Sequence, residues 1–152
     1  MRFTLVVAFF VGLFFYGCAS VDTPEQAAKN ELLEYTDKAS FISEQGSVLV
    51  VASYLNPVKY PKKLDEEVFG VAVSPAGASF DSAVLEGVGA ASIERTSDEV
   101  AKGLGFYLPW ASYYIVKAPA LEAKSLRLDL GVGGFIAKLD FVKVSRSLYW
   151  HR

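Results

Sequence analysis

The apolar positions of this chain follow three rhythms in succession. Phe3 to Tyr16 is an almost unbroken apolar run, interrupted only by Thr4. From Pro24 the spacing becomes helical: Ala28, Leu32 and Tyr35 fall on one face, and Glu25/Lys29 and Glu34/Lys38 stand at i, i+4. Thr23 is placed to cap, Pro24 suits the first helical position, and Gln26 completes a capping box. These features predict a short amphipathic helix over 24–36. From residue 39 the period shortens to two and stays there.

The period-two region predicts short strands punctuated by turn residues. Ala39 to Glu44 is a first short strand. Ser47 to Leu55 is apolar on both faces, with Val48, Val50, Ala52 and Tyr54 sharing one, so it belongs inside a sheet until Asn56-Pro57 ends it. In Val68 to Val73, the residues Phe69, Val71 and Val73 face inward, and Ser74-Pro75-Ala76-Gly77 closes the strand. Ser79 to Glu86 has strand character, 87–91 is small and permissive, and Ala91 to Thr96 reads as a short strand. Thr96-Ser97-Asp98-Glu99 resembles a second capping box, which predicts a helical turn over 97–102 with Gly103 as its stop.

The last third alternates most cleanly. Ala111 to Lys117 has Tyr113 and Ile115 on one face and Tyr114 and Val116 on the other. Leu126, Leu128 and Leu130 alternate with Arg127 and Asp129, Gly131 to Gly134 reads as a hairpin turn, and Phe135 to Ser145 returns. Within that return the apolar side slips by one residue, which predicts a β-bulge between Phe141 and Val142. About seven short strands with turns roughly every dozen residues describe a mainly β protein. Its expected fold is an Ig-like antiparallel β-sandwich with a short N-terminal helix, lacking the usual cysteine pair.

The opening run carries a different message. Arg2 and the amino terminus supply positive charge ahead of the apolar core, and a small residue, Gly17, precedes Cys18, the single cysteine of the chain. Gly17-Cys18 resembles the lipobox of bacterial lipoproteins, which implies cleavage before Cys18 and a covalent lipid on its sulfur. Phe15 and Tyr16 depart from the small and leucine residues usual upstream. Ala19 after Cys18 is similar to lipoproteins sorted to the outer membrane. Two other readings stay open: an ordinary signal peptide cut near Ala19 or Ser20, and an uncleaved span, since Phe3 to Ala19 reaches the lower limit of about 17–25 residues. The expected organisation is a signal peptide over 1–17, a lipid-anchored N-terminus with a short helix or spacer over 18–38, and the sandwich over 39–152.

Composition narrows the function. Loss of Arg2 with the signal reduces the 15 Lys and Arg to 14 against 17 Asp and Glu, a net charge of −3 with no basic block, so nucleic acid is not an expected partner. With Cys18 committed to the anchor no disulfide is available, and stability must come from the core. His151 is the only histidine and lies next to the end, leaving no material for a histidine triad or a zinc site. The acid run Asp65-Glu66-Glu67 is contiguous rather than alternating and lacks the glycine of a calcium loop, so it reads as a solvated loop flank. No metal or cofactor is expected beyond the lipid on Cys18.

Two segments stand out as candidate contact surfaces. Gly103 to Trp110 combines two glycines and a proline with Phe106, Tyr107, Leu108 and Trp110, a mixture that is either a core-covering loop or a binding patch. Most of it is expected to be buried, with Tyr107 or Trp110 the residues left at the surface. Tyr149 and Trp150 near the C-terminus are the second candidate, with docking of the tail as the alternative.

Tyr113-Tyr114, the Lys117-Ala118-Pro119 break and Phe141-Val142-Lys143-Val144 look similar to small Ig-like outer-membrane lipoproteins of the Campylobacter group. The resemblance covers about the last forty residues and implies an outer-membrane lipoprotein with no catalytic residues to carry over. The expected function is therefore a lipid-anchored, noncatalytic binding or structural module of the cell envelope, with the membrane and an envelope protein as partners. A carrier or chaperone holding a lipid or peptide in an apolar pocket is the alternative; a two-carboxylate hydrolase is a third reading.

Overall fold

The computed structural model describes residues 23–43, 46–62, 65–90 and 92–144. Cys18, Tyr149 and Trp150 lie outside them. In chain order the elements are α1 (Pro24–Leu33), β1 (Thr36–Ser43), β2 (Gly46–Tyr54), α2 (Asn56–Lys59), β3 (Glu66–Ser74), β4 (Phe80–Leu85), β5 (Val88–Gly89), β6 (Ser92–Arg95), α3 (Asp98–Lys102), β7 (Ser112–Pro119), β8 (Ser125–Val132) and β9 (Phe135–Val142). The strands form two antiparallel sheets, ordered β1-β2-β3-β7-β6 and β5-β4-β8-β9. Taking β2-β3-β7-β6 as A-B-E-D and β5-β4-β8-β9 as C′-C-F-G, this is an immunoglobulin-like sandwich with β1 added at one edge.

The period-two faces account for the interior. Val50, Ala52, Phe69, Val71, Val73 and Val116 from the larger sheet meet Leu85, Leu126, Leu128, Leu130, Val132, Ala137 and Leu139 from the smaller one. Where antibody domains carry an inter-sheet disulfide on strands B and F, β3 and β8 present aliphatic and aromatic side chains. Each such side chain contributes roughly 1.5–3 kcal/mol on burial, enough together to replace a staple. β3 is buried along almost its whole length on both faces.

That second face of β3 is covered by a further layer. Leu32 of α1, Leu55, Ala101 of α3 and Leu104 pack on Val68, Ala72 and Tyr113 on the outer side of the larger sheet. Gly70 permits it: a Cβ there would stand 2.7 Å from a Leu104 methyl. The exposed face of the smaller sheet carries charge instead, with Arg127 donating to Asp140 across β8 and β9 at 2.9 Å.

Several local expectations need correction. The helix ends at Leu33, with Glu34 as its C-cap, because Thr36 already pairs with Ser53 in β1. Glu34 and Lys38 are therefore not helical neighbours. Tyr35 turns into the sandwich interior while Leu32 packs outside the sheet, and Ala28 is exposed. At the first capping box the Thr23 half forms, with Gln26 N–H donating to Thr23 Oγ1 at 3.3 Å. At the second, Ser97 is the N-cap and makes no side-chain capping bond.

The bulge expected at Phe141–Val142 is absent. The β8–β9 register runs unbroken from Ser125↔Val142 to Val132↔Phe135. The apparent slip marks the end of β9, beyond which Lys143 leaves the sheet for Glu67. A register shift lies instead in β4, between Phe80 and Ser82. The extra residue, Asp81, brings Phe80 to the same interior as Ala83 and Leu85 despite the odd spacing, and Phe80 meets Tyr114 edge-on at 4.7 Å. The final turn is shorter than Gly131–Gly134: only Gly133 and Gly134 lie between the strands, with φ of +56° and +81°, as a two-residue turn of primed type requires. Within the small, permissive stretch 87–91, Val88 and Gly89 form β5, reached from β4 by a tight turn at Glu86 and Gly87.

Candidate functional site

Two places on this scaffold gather chemistry, one at an end of the sandwich and one on the covered face of the larger sheet. The first is a cleft of about 530 Å³ whose lining includes Tyr54, Tyr60, Glu66, Glu67, Glu122 and Lys143. It forms where β2 and β7 end, β3 and β8 begin, and the chain leaves β9.

Glu67 has the same strand parity as Phe69, Val71 and Val73, so its side chain points into the sandwich, and it is only 2% exposed. The solvated-flank reading of the acid run therefore fails at this residue. A carboxylate taken out of water must be paired. Tyr54 Oη donates to Glu67 Oε2 at 2.7 Å, the Leu121 N–H donates to Oε1 at 3.0 Å, and Lys143 Nζ donates to Oε1 at 2.5 Å. Lys143 also donates to the Leu121 carbonyl. Asn56 fixes the neighbouring backbone, donating to Glu66 O at 2.7 Å and accepting from Val68 N–H at 2.8 Å.

The electrostatics follow from these contacts. Burial pushes the Glu67 carboxyl up, but the bonds from Lys143, Tyr54 and Leu121 outweigh it and hold the group below its ordinary value. Burial, then the Glu67 charge, pushes the Tyr54 phenol well up, so it stays a donor. A general acid needs a raised carboxyl and a nucleophilic phenol a lowered one; here both shifts run the other way. The groups saturate one another, and the arrangement clasps β2, β3, the 120–124 loop and the start of the C-terminal tail together. Among the described residues no group of three or more His, Cys, Asp or Glu could hold a metal ion.

The second place is the 103–110 loop, which connects α3 to β7. Leu104 is buried against Gly70, and Gly105, at φ +83°, turns so closely over α1 that a Cβ would meet Leu32 and the Lys29 carbonyl at 3.3 Å. Phe106 and Leu108 are half-buried. The organising residue is Tyr113 on β7. Its hydroxyl accepts from Leu108 N–H and donates to Leu108 O at 3.1 Å, while the Tyr107 ring stacks parallel on it at 5.9 Å. Trp110 carbonyl accepts from Ala76 N–H at 2.9 Å. So Phe106 and Leu108 attach the loop, and Tyr107 (40% exposed) and Trp110 (61% exposed) remain at its surface. Lys102 Nζ lies 5.7 Å from the Tyr107 ring centroid, within reach of a cation–π contact.

Sequence reasoning singled out the four loop residues but missed the clasp of Tyr54, Glu67 and Lys143. The one signal available was the parity of Glu67 with Phe69. No protein-family model, curated protein or solved structure matches the chain, so any functional reading stands on its residues and geometry.

Proposed function

We propose that this chain is a lipid-anchored lipoprotein of the outer membrane, carrying a noncatalytic Ig-like module that works by contact rather than by chemistry. The observation that carries this reading is the loop. Two large amphipathic aromatics, Tyr107 and Trp110, are kept at the surface by a buried and hydrogen-bonded support. Holding such side chains on a rigid frame lowers the entropy lost when they meet a partner. The apolar side chains of the two sheets pack into one buried cluster, which favours a contact module over a carrier. The saturated clasp at Glu67 favours a structural role for the cleft at that end of the sandwich.

The anchor belongs to the same reading. Gly17-Cys18 follows the apolar run from Phe3 to Tyr16, the arrangement of an export signal ending in a lipid attachment site. Each buried CH₂ of an acyl chain contributes about 0.8 kcal/mol, so several chains on Cys18 make a stable tether. Metabolic labelling with palmitate tests this directly. The wild type should incorporate label and fractionate with outer membranes, and Cys18→Ser should lose both. Equal behaviour of the two chains would reject the anchor.

A further inference from the structure

We propose that Tyr107, Trp110 and Lys102 contact the bilayer itself, holding the helix-covered face of the sandwich against the lipid headgroups. This rests on the Cys18 anchor proposed above. Thr23 caps α1, and five residue steps separate it from Cys18. A chain extends at most about 3.6 Å per residue, so the start of α1 lies within roughly 18 Å of the acylated sulfur.

The start of α1 and the aromatic loop share one face. Thr23, Gln26 and Lys29 line the same surface cleft as Gly105, and Gly105 packs on Lys29 and Leu32. Tyr107 and Trp110 follow within five residues of Gly105. Tyr107 stands on this face through its stacking on Tyr113 of the covered side, and Trp110 follows three residues later, so the tether holds this end of the loop close to the membrane. Tyr and Trp favour the headgroup level, where an apolar ring meets lipid and a polar edge meets water.

Charge on this face is mixed, so the rings carry the contact and the amines only add to it. Lys102 sits over Tyr107, and Lys59 Nζ approaches Gly103, 2.9 Å from where a Cβ would be. Lys29 is paired with Glu25 at 2.8 Å, Glu31 adds a second acid to α1, and the sequence of α3 includes Asp98 and Glu99 as well as Lys102. A few rings and two amines make a weak contact alone. The tether makes the contact intramolecular, so the bilayer is present at high effective concentration and a protein must compete with it for the loop.

The test uses the full chain with its native lipid and a Trp150→Phe substitution, leaving Trp110 as the only tryptophan. It is reconstituted into vesicles of phosphatidylethanolamine and phosphatidylglycerol, with and without brominated acyl chains. The protein should float with the vesicles, and brominated lipid should quench Trp110 emission roughly two-fold while shielding it from iodide. Flotation with Trp110 unquenched by bromine and open to iodide overturns the contact, leaves the anchor standing, and frees the loop for an envelope protein. No flotation, together with no acyl mass on Cys18, removes the anchor and the contact with it.

Discussion

The Asp37 carboxylate accepts a 2.9 Å hydrogen bond from the main-chain N–H of Asp140, joining β1 at the edge of one sheet to β9 at the edge of the other. Asp37 shares the parity of Ala39 and Phe41, so its side chain reaches across the sandwich, and Phe41 stacks on Phe135 at 5.3 Å further along the same seam. An edge strand with free N–H groups invites pairing with another chain, and a carboxylate bonded to it blunts that edge. Asp37→Ala is expected to cost about 1 kcal/mol and to speed hydrogen exchange at the Asp140 amide selectively. Unchanged exchange there would remove this role.

The clasp makes a stronger prediction. Glu67→Gln keeps the shape but removes the charge that Lys143 faces, and should destabilise by about 2–4 kcal/mol in denaturant titration. Lys143→Met alone strands the buried carboxylate and should cost a similar amount. Glu67→Leu with Lys143→Met should be less harmful than the two single losses summed, since neither partner is left unpaired.

Because Glu67 ionises more easily in the folded chain than its ordinary value of 4.5, its contribution is fully present above that pH and is lost as the pH falls through the folded value. Thermal unfolding between neutral and acid pH should show a wild-type decline that is flatter in Glu67→Gln. Tyr54 is shifted upward, so its contribution is complete below pH 10 and fades as the pH rises further. Tyr54→Phe should lose stability at neutral pH and then decline less in alkali.

The loop depends on Gly70 and Tyr113. Gly70→Val overlaps Leu104 and should cost about 1–3 kcal/mol by overpacking, while Tyr113→Phe removes both bonds to Leu108 for about 1–2 kcal/mol. Both should increase iodide access to Trp110 in a chain that remains folded by circular dichroism.

The inner faces of the sandwich were legible because each strand buries alternate residues: Phe69, Val71 and Val73, or Leu126, Leu128 and Leu130, could face only one way. What parity implies for a polar residue was harder to read. Glu67 looked like part of a surface acid run because its partners, Tyr54, Leu121 and Lys143, come from three distant segments. The covering layer was hidden for the same reason, since Leu104 finds its place only through the gap at Gly70, thirty-four residues earlier. The end of β9 resembled a bulge because Val142, the last residue paired with β8, and Val144 beyond it are apolar on the opposite parity to Leu139 and Phe141. In the loop, Tyr107 and Trp110 were the residues expected at the surface and both stand there, whereas nothing in the composition marked Leu104 as the buried anchor.

The most direct test of the account is mass spectrometry of the mature amino terminus isolated from outer membranes. A terminal peptide beginning at Cys18 and carrying the mass of its acyl chains is the predicted result. A terminus at unmodified Ala19 or Ser20, or at an intact Met1, would contradict it.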